Sequence, residues 1–177
     1  MIVFRNTDVD VPFFWESDVQ PRARWHGTGE GPAQYMSSTP SAAWAEFLRH
    51  QGITDPEDVA GIERAMWAIE IPDDEATAVP ELSRATLVGG TQTYAACQRE
   101  ARRLRAGGAT RLLSRSAAVR GGSASGWRTD GDLRPAPPRE ENTIVLYGRR
   151  PELVGWIAAS PGRPEPELVA RTRPLKG

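Results

Sequence analysis

The stretch "RARWHGTGEGPAQYMSSTPSAAWAEFLRH", residues 22–50, decides how this chain is read. Glycines at 27, 29 and 31, followed by Pro32, exclude regular structure there. The next segment, "AQYMS", is short and reads as a strand. Thr39 is a good helix cap, Pro40 suits the first helical position, and Gly52 suits the position after the last turn. A helix is therefore expected over 40–50, with Ala43, Trp44, Phe47 and Leu48 as its apolar stripe. Glu46 lies at the edge of that stripe. One turn–strand–helix unit thus carries Arg24, Tyr35 and Glu46, and that combination asks for an explanation.

Upstream, "MIVFRNT" is an opening strand with Arg5 at its end, and residues 8–22 form a loop whose apolar centre, "VPFFWES", packs onto the core. Downstream, "TDPEDVAGIERA" repeats the cap-then-proline signal and predicts a second short helix. "MWAIEIP" is a strand ended by Pro72. Residues 73–90 read as loop with a possible strand at "ATLV". "TQTYAACQREARRLRAGG" is the strongest helix, closed by Gly107 and Gly108. "TRLLSRS" and "NTIVLYG" are strands. Between them, residues 120–141 hold Gly, Ser, Pro and charge, and predict a long mobile loop. "PELVGWIAA" fits either a strand or a short helix. The tail from Ser160 has four prolines and is either disordered or docked as an extended arm. The order does not alternate strand and helix regularly, so an α+β domain with a mixed sheet is expected rather than a doubly wound parallel one. No internal repeat is visible.

Composition bounds the function. A chain of 177 residues fits one domain, large enough to bury about two-thirds of its unfolded surface. Net charge is −1, so bulk charge points to neither nucleic acid nor membrane. Arg99, Arg102, Arg103, Arg105, Arg111 and Arg115 cluster locally and read as a solvated helix face and its exit. A single cysteine, Cys97, excludes an internal disulfide and a cysteine metal site; two histidines, His26 and His50, argue against a zinc centre. No metal is expected. The N-terminus lacks a basic segment followed by an apolar one, and no apolar run reaches membrane-spanning length. A cytoplasmic protein is the expectation.

Taken singly, the candidate residues have ordinary readings. Glu46 would pair with Arg49 or His50 at helical spacing. Arg24 would be a loop arginine, although its planar fork beside a glycine turn also suits anionic oxygens. Tyr35 would be a core tyrosine whose hydroxyl finds a partner. Arg5 and Ser116 carry little information alone. The glycine run is not a phosphate loop, because no Gly-Lys-Ser/Thr closes it. No Gly-x-Ser-x-Gly elbow exists either.

Together, "VFRN" with Arg5, "ARWHGTGEGPAQYMSSTPSAAWAEFLRH" with Arg24, Trp25, Tyr35 and Glu46, and "RLLSRSAAV" with Ser116 resemble the RES domain, the toxin half of a bacterial toxin–antitoxin pair. "MWAIEIP", "CQREARRLRAGGATRLL" and "NTIVLYGRRPELVGW" follow in the family's order. The resemblance covers residues 1–158, leaving 159–177 as a Pro/Arg-rich tail. His26 stands where the family usually has asparagine. Arg115 stands where a proline usually precedes the serine, which leaves Ser114 as a competitor of Ser116. The segment 120–141 is longer than usual.

The resemblance implies an ADP-ribosyltransferase-like mixed sheet with flanking helices. It implies NAD+ as substrate and cleavage of its nicotinamide–ribose bond, with phosphate, water or a protein as acceptor, and hence NAD+ depletion and growth arrest. It implies an Xre-type helix-turn-helix antitoxin as partner and leaves the assembly of such a complex open. Glu46 would stabilise the oxocarbenium-like ribose, Arg5 and Arg24 would hold the pyrophosphate, Tyr35 would stack on nicotinamide or bond the ribose, and Ser116 would bond beside it. One carboxylate suffices because nicotinamide leaves as a neutral ring and needs no acid. Trp25 and His26 read as structural or peripheral, with contact of His26 to the ligand left open. Two other functions stay open: a mono-ADP-ribosyltransferase acting on a protein, and a non-catalytic interaction module of the same fold.

Overall fold

The computed structural model describes residues 1–14, 16–120 and 126–175. Trp15, in the expected aromatic loop, and residues 121–125 lie outside that set. β1 (Ile2–Thr7) and β2 (Ala33–Ser37) lead into helix α1 (Pro40–Gln51). A 3-10 turn, Pro56–Gly61, precedes β3 (Arg64–Glu70) and a two-residue β4 (Thr77–Ala78). Helices α2 (Arg84–Val88) and α3 (Tyr94–Ala106) follow, then β5 (Arg111–Arg115). The chain ends with β6 (Trp127–Asp130), β7 (Asp132–Pro135), β8 (Asn142–Tyr147), β9 (Val154–Gly162) and α4 (Leu168–Arg171). Seven strands form one mixed sheet in the order β4-β5-β8-β2-β1-β3-β9, parallel only between β4 and β5. The fold is α+β.

The α1 boundaries follow from local chemistry. Thr39 is extended, and its hydroxyl accepts the Ala42 N–H at 3.1 Å. Gly52 closes the helix at φ 69°, a left-handed conformation in which a side chain is strained. Gly52→Ala is therefore expected to cost about 1 kcal/mol, read as a shifted urea midpoint with an unchanged slope.

Helix α3 packs on one sheet face, burying Cys97 and Ala101 against Leu112, Val145 and Tyr147. The opposite face carries Val3, Met36, Ile69, Ile144 and Leu146, covered by Phe13 and Phe14 from the loop after β1. Helix α1 closes a third cluster, with Leu48 fully buried beside Val59, Met66, Val119 and Leu168.

Several expectations are corrected, and two that stood open are resolved. "ATLV" is helical, because the Ser83 hydroxyl caps the Thr86 N–H at 3.2 Å and overrides the β-prone residues. The short helix expected after Asp55 is a 3-10 helix, Pro56–Gly61, and Arg64 and Ala65 already belong to β3. The expected loop 120–141 holds a hairpin, β6–β7, turned at Gly131 with φ 75°. "PELVGWIAA" contains a strand, and β9 runs on to Gly162 across residue 158. The tail is docked: Leu168 and Val169 are buried and Thr172 bridges Val119. Among the described residues no helix is long and apolar enough to cross a membrane.

Candidate active site

β1 pairs with β3 over six positions but meets β2 at one, Phe4↔Ser37. The sheet is split there. A cavity of about 300 Å³ occupies the split, with Arg5 on one side, Tyr35 on the other and Glu46 above on α1. Its lining holds four arginines, Arg5, Arg24, Arg49 and Arg115, and one carboxylate, Glu46. A cavity of that balance attracts anions.

Glu46 is fixed rather than loose. Its Oε1 accepts the Ser116 and Thr143 hydroxyls, each at 3.3 Å, while Oε2 lies 3.7 Å from His50 Nε2. The helical partner is thus His50; Arg49 points elsewhere. Ser116 Oγ also accepts the backbone N–H groups of Ala118 and Val119, so its proton is directed at Glu46. Ser114 instead bonds the Arg115 carbonyl. Between the two serines, the geometry brings Ser116 to Glu46.

Arg5 donates from Nη1 to the buried Gln34 at 2.6 Å and lies over the Phe14 ring. Among the described residues no carboxylate pairs with it. Burial lowers its pKa to about 10, so it remains a cation at neutral pH. Arg24 is buried and engaged. It donates to the carbonyls of Thr86 and Gly89 and to the Thr93 hydroxyl, and sits 5.0 Å from the Tyr94 ring centre. Arg24 therefore fastens segment 86–94 as a cavity wall, a role that loop position alone does not suggest.

The Tyr35 ring lines the cavity, but its hydroxyl faces the Arg-Trp-His turn. It accepts the Trp25 N–H at 2.9 Å and meets His26 Nδ1 at 3.0 Å. Burial pushes its pKa well above the usual tyrosine value, so the phenol stays neutral. Trp25 is buried, and Tyr147 donates to its carbonyl at 3.1 Å. From α3, Gln98 holds the carbonyls of Ala23 and His26.

Burial lowers the pKa of His26, against the opposing pull of the Pro21 carbonyl and Glu30. The folded imidazole stays neutral where an unfolded one begins to protonate. Between the usual value of 6.5 and its lowered folded value, the unfolded state binds more protons, so stability falls as pH falls through that window. The melting temperature of the wild type is expected to drop more steeply below pH 6.5 than that of His26→Asn. Parallel profiles would remove His26 as the cause.

Four residues escaped the sequence reading. Thr143 touches Glu46 from β8. Arg49, 3% exposed, donates to the carbonyls of Ala117, Gly89 and Arg173. Burial lowers its pKa, with Glu46 opposing. Glu141 is buried and accepts the Ser38 and Thr39 hydroxyls, while its carbonyl accepts the Ser116 N–H. Gln98 holds the Arg-Trp-His turn. None had a motif, because each acts through a partner remote in sequence.

Comparison with curated proteins gives no match for this chain. The family model of the RES domain matches residues 10–161, most of the chain and all of the cavity's elements except β1. With that match and this architecture, the chain belongs to the RES domain family.

Proposed function

We propose that this chain cleaves the nicotinamide–ribose bond of NAD+, transferring ADP-ribose to phosphate or water, and that it serves as the toxin of a toxin–antitoxin pair. The observation that carries the reading is one hydroxyl-braced carboxylate, Glu46, in a cavity otherwise lined by arginines. Departure of nicotinamide leaves positive charge on the ribose, and a fixed carboxylate stabilises it without reorganisation. The bond to the nicotinamide nitrogen breaks with its electron pair, neutralising the ring, so no proton donor is needed at that step.

In this reading Glu46 faces the ribose, and the Tyr35 ring forms a flat wall for nicotinamide. Arg5 supplies a cation for the pyrophosphate. Ser116 and Thr143 position Glu46. Arg24 and Arg49 hold the walls and add positive potential. The partner is an Xre-type helix-turn-helix antitoxin that covers the pocket. The test is nicotinamide release from NAD+ by the purified chain, with and without phosphate, beside Glu46→Ala. Phosphate-dependent release means phosphorolysis, and phosphate-independent release means hydrolysis. Absence of release, with ADP-ribose appearing instead on a protein in cell extract, would replace this reading by protein ADP-ribosylation.

A further inference from the structure

The two ends of the seven-stranded sheet are unlike. One ends in β4, only two residues long, and so short an edge offers little to pair with. The other ends in β9, nine residues long, and among the described residues no strand pairs with its outer side. The β9 sequence, "VGWIAASPG", holds no charged residue, so the lysine or glutamate that commonly guards an open edge is missing. Pro161 has no N–H to offer and closes the edge at one end, leaving Val154–Ser160 open, a stretch centred on Ile157. The register shifts against β3 begin beyond Ile157 and bend the strand without placing a charge on it.

Apolar side chains stand out on both faces of that stretch. Position 155 faces Phe13, whose ring a Cβ there would meet at 2.7 Å, so Ile157 shares the Phe13 face, beside Trp67. Val154 and Trp156 lie on the other face, beside Glu70 and Ala68. Trp156 is 65% exposed, Ile157 59% and Val154 53%. Large apolar groups side by side on an open edge mark a contact surface.

The ends of β9 indicate what fits it. Glu152 precedes the strand and Arg163 follows it, both exposed. Let β9 pair antiparallel with β9 of a second copy about a two-fold axis at Ile157. Position 152 of one copy then falls opposite 162 of the other, so Glu152 meets Arg163 across the interface, and the axis makes that contact twice. Opposite residues share a face, so Trp156 packs on Ala158 of the second copy and Ile157 on its own counterpart. Covering these side chains and the backbone between them on both copies removes on the order of 1,000 Å², the low end of specific interfaces. No β9 residue lines the cavity, so both cavities stay open.

We propose that β9 is the interface of a two-fold dimer of this chain, in which two seven-stranded sheets join edge to edge through antiparallel β9–β9 pairing. The dimer does not depend on the NAD+ reading.

The experiment is sedimentation equilibrium of the full chain. A monomer–dimer exchange is expected, with a dissociation constant on the order of 10 μM. Ile157→Lys sets two ammonium groups against each other at the axis and should weaken the dimer at least about tenfold. Glu152→Arg and Arg163→Glu each place like charges together and should weaken it about fivefold. The double variant exchanges the two charges and should return to within about twofold of the wild type. Such recovery does not arise from misfolding, and at about 1 μM, where the wild type is monomeric, all four variants should melt alike. A monomer at every concentration up to about 0.5 mM overturns the dimer and leaves the edge to a strand from another protein. A dimer that Ile157→Lys leaves intact overturns β9 as its interface. A double variant no tighter than either single one overturns the two-fold antiparallel pairing.

Discussion

Glu46→Gln is expected to lower the rate of nicotinamide release from NAD+ by about a thousandfold or more, with the fold intact. The substitution keeps the shape of the side chain and its carbonyl-type oxygen for Ser116 or Thr143. It removes the negative charge that would face the developing oxocarbenium. The stability cost is small. Glu46 is partly open to solvent, its hydroxyl contacts are long at 3.3 Å, and its 3.7 Å contact with His50 is a helical i,i+4 contact worth about 0.5 kcal/mol or less. Activity and melting temperature should therefore separate: a near-wild-type melting curve with no product. Retained release in Glu46→Gln would mean that another group carries the charge stabilisation, and no other carboxylate lines the cavity among the described residues.

The same geometry distinguishes chemical from positional roles. If Ser116 acts by holding Glu46, Ser116→Ala should reduce turnover less than Glu46→Gln, since Thr143 still donates to the same oxygen. Two donors on one carboxylate oxygen also explain why the acid can sit at the cavity wall without an arginine against it. The nearby cations bond to carbonyl groups instead, Arg24 at Gly89 and Arg49 at Gly89 and Ala117. An arginine paired directly to Glu46 would neutralise the charge that the proposed reaction uses.

What was legible in the sequence was local. The α1 helix was announced by its cap, its Pro40 and its Gly52, three signals that act within a few residues of themselves. The strands at 2–7, 33–37, 64–70, 111–115 and 142–147 were legible because they are β-rich and bounded by breakers. What failed was also local in origin. "ATLV" reads as strand by composition, but one serine hydroxyl at 83 turned it into helix. The hairpin at 127–135 hid in a segment judged by its Gly and Pro content, although its Asp-Gly-Asp turn was there to see. Of the residues singled out for the site, Arg5, Tyr35 and Glu46 line one cavity, and Ser116 is joined to it through Glu46. The sense of Arg24 was not legible, because its partners lie more than 60 residues away. Thr143, Arg49 and Glu141 were invisible for the same reason: a threonine in a strand, an arginine near a helix end and a glutamate after a loop have no local signature of burial.

Arg49→Ala is expected to be the most destabilising substitution at the site, by about 2–4 kcal/mol, lowering the melting temperature by roughly 5–15 °C. The guanidinium bonds to carbonyls from three separate segments: Gly89 before α3, Ala117 after β5, and Arg173 after α4. Alanine leaves those acceptors without their donor, and the cost of an unmade buried hydrogen bond exceeds the gain from making one. Part of the loss is recovered, because burying the charge is itself unfavourable, as the lowered pKa of Arg49 shows. That offset predicts an ordering. Arg49→Lys keeps a charge but places it as a compact point that cannot span three acceptors, so it should recover only a minor share of the loss. Arg49→Met keeps the stem packing and removes the buried charge, so it should melt above Arg49→Ala. If instead Arg49→Ala melts within about 2 °C of the wild type, the three carbonyls must find water or new donors, and the segment after α4 is not fastened through Arg49.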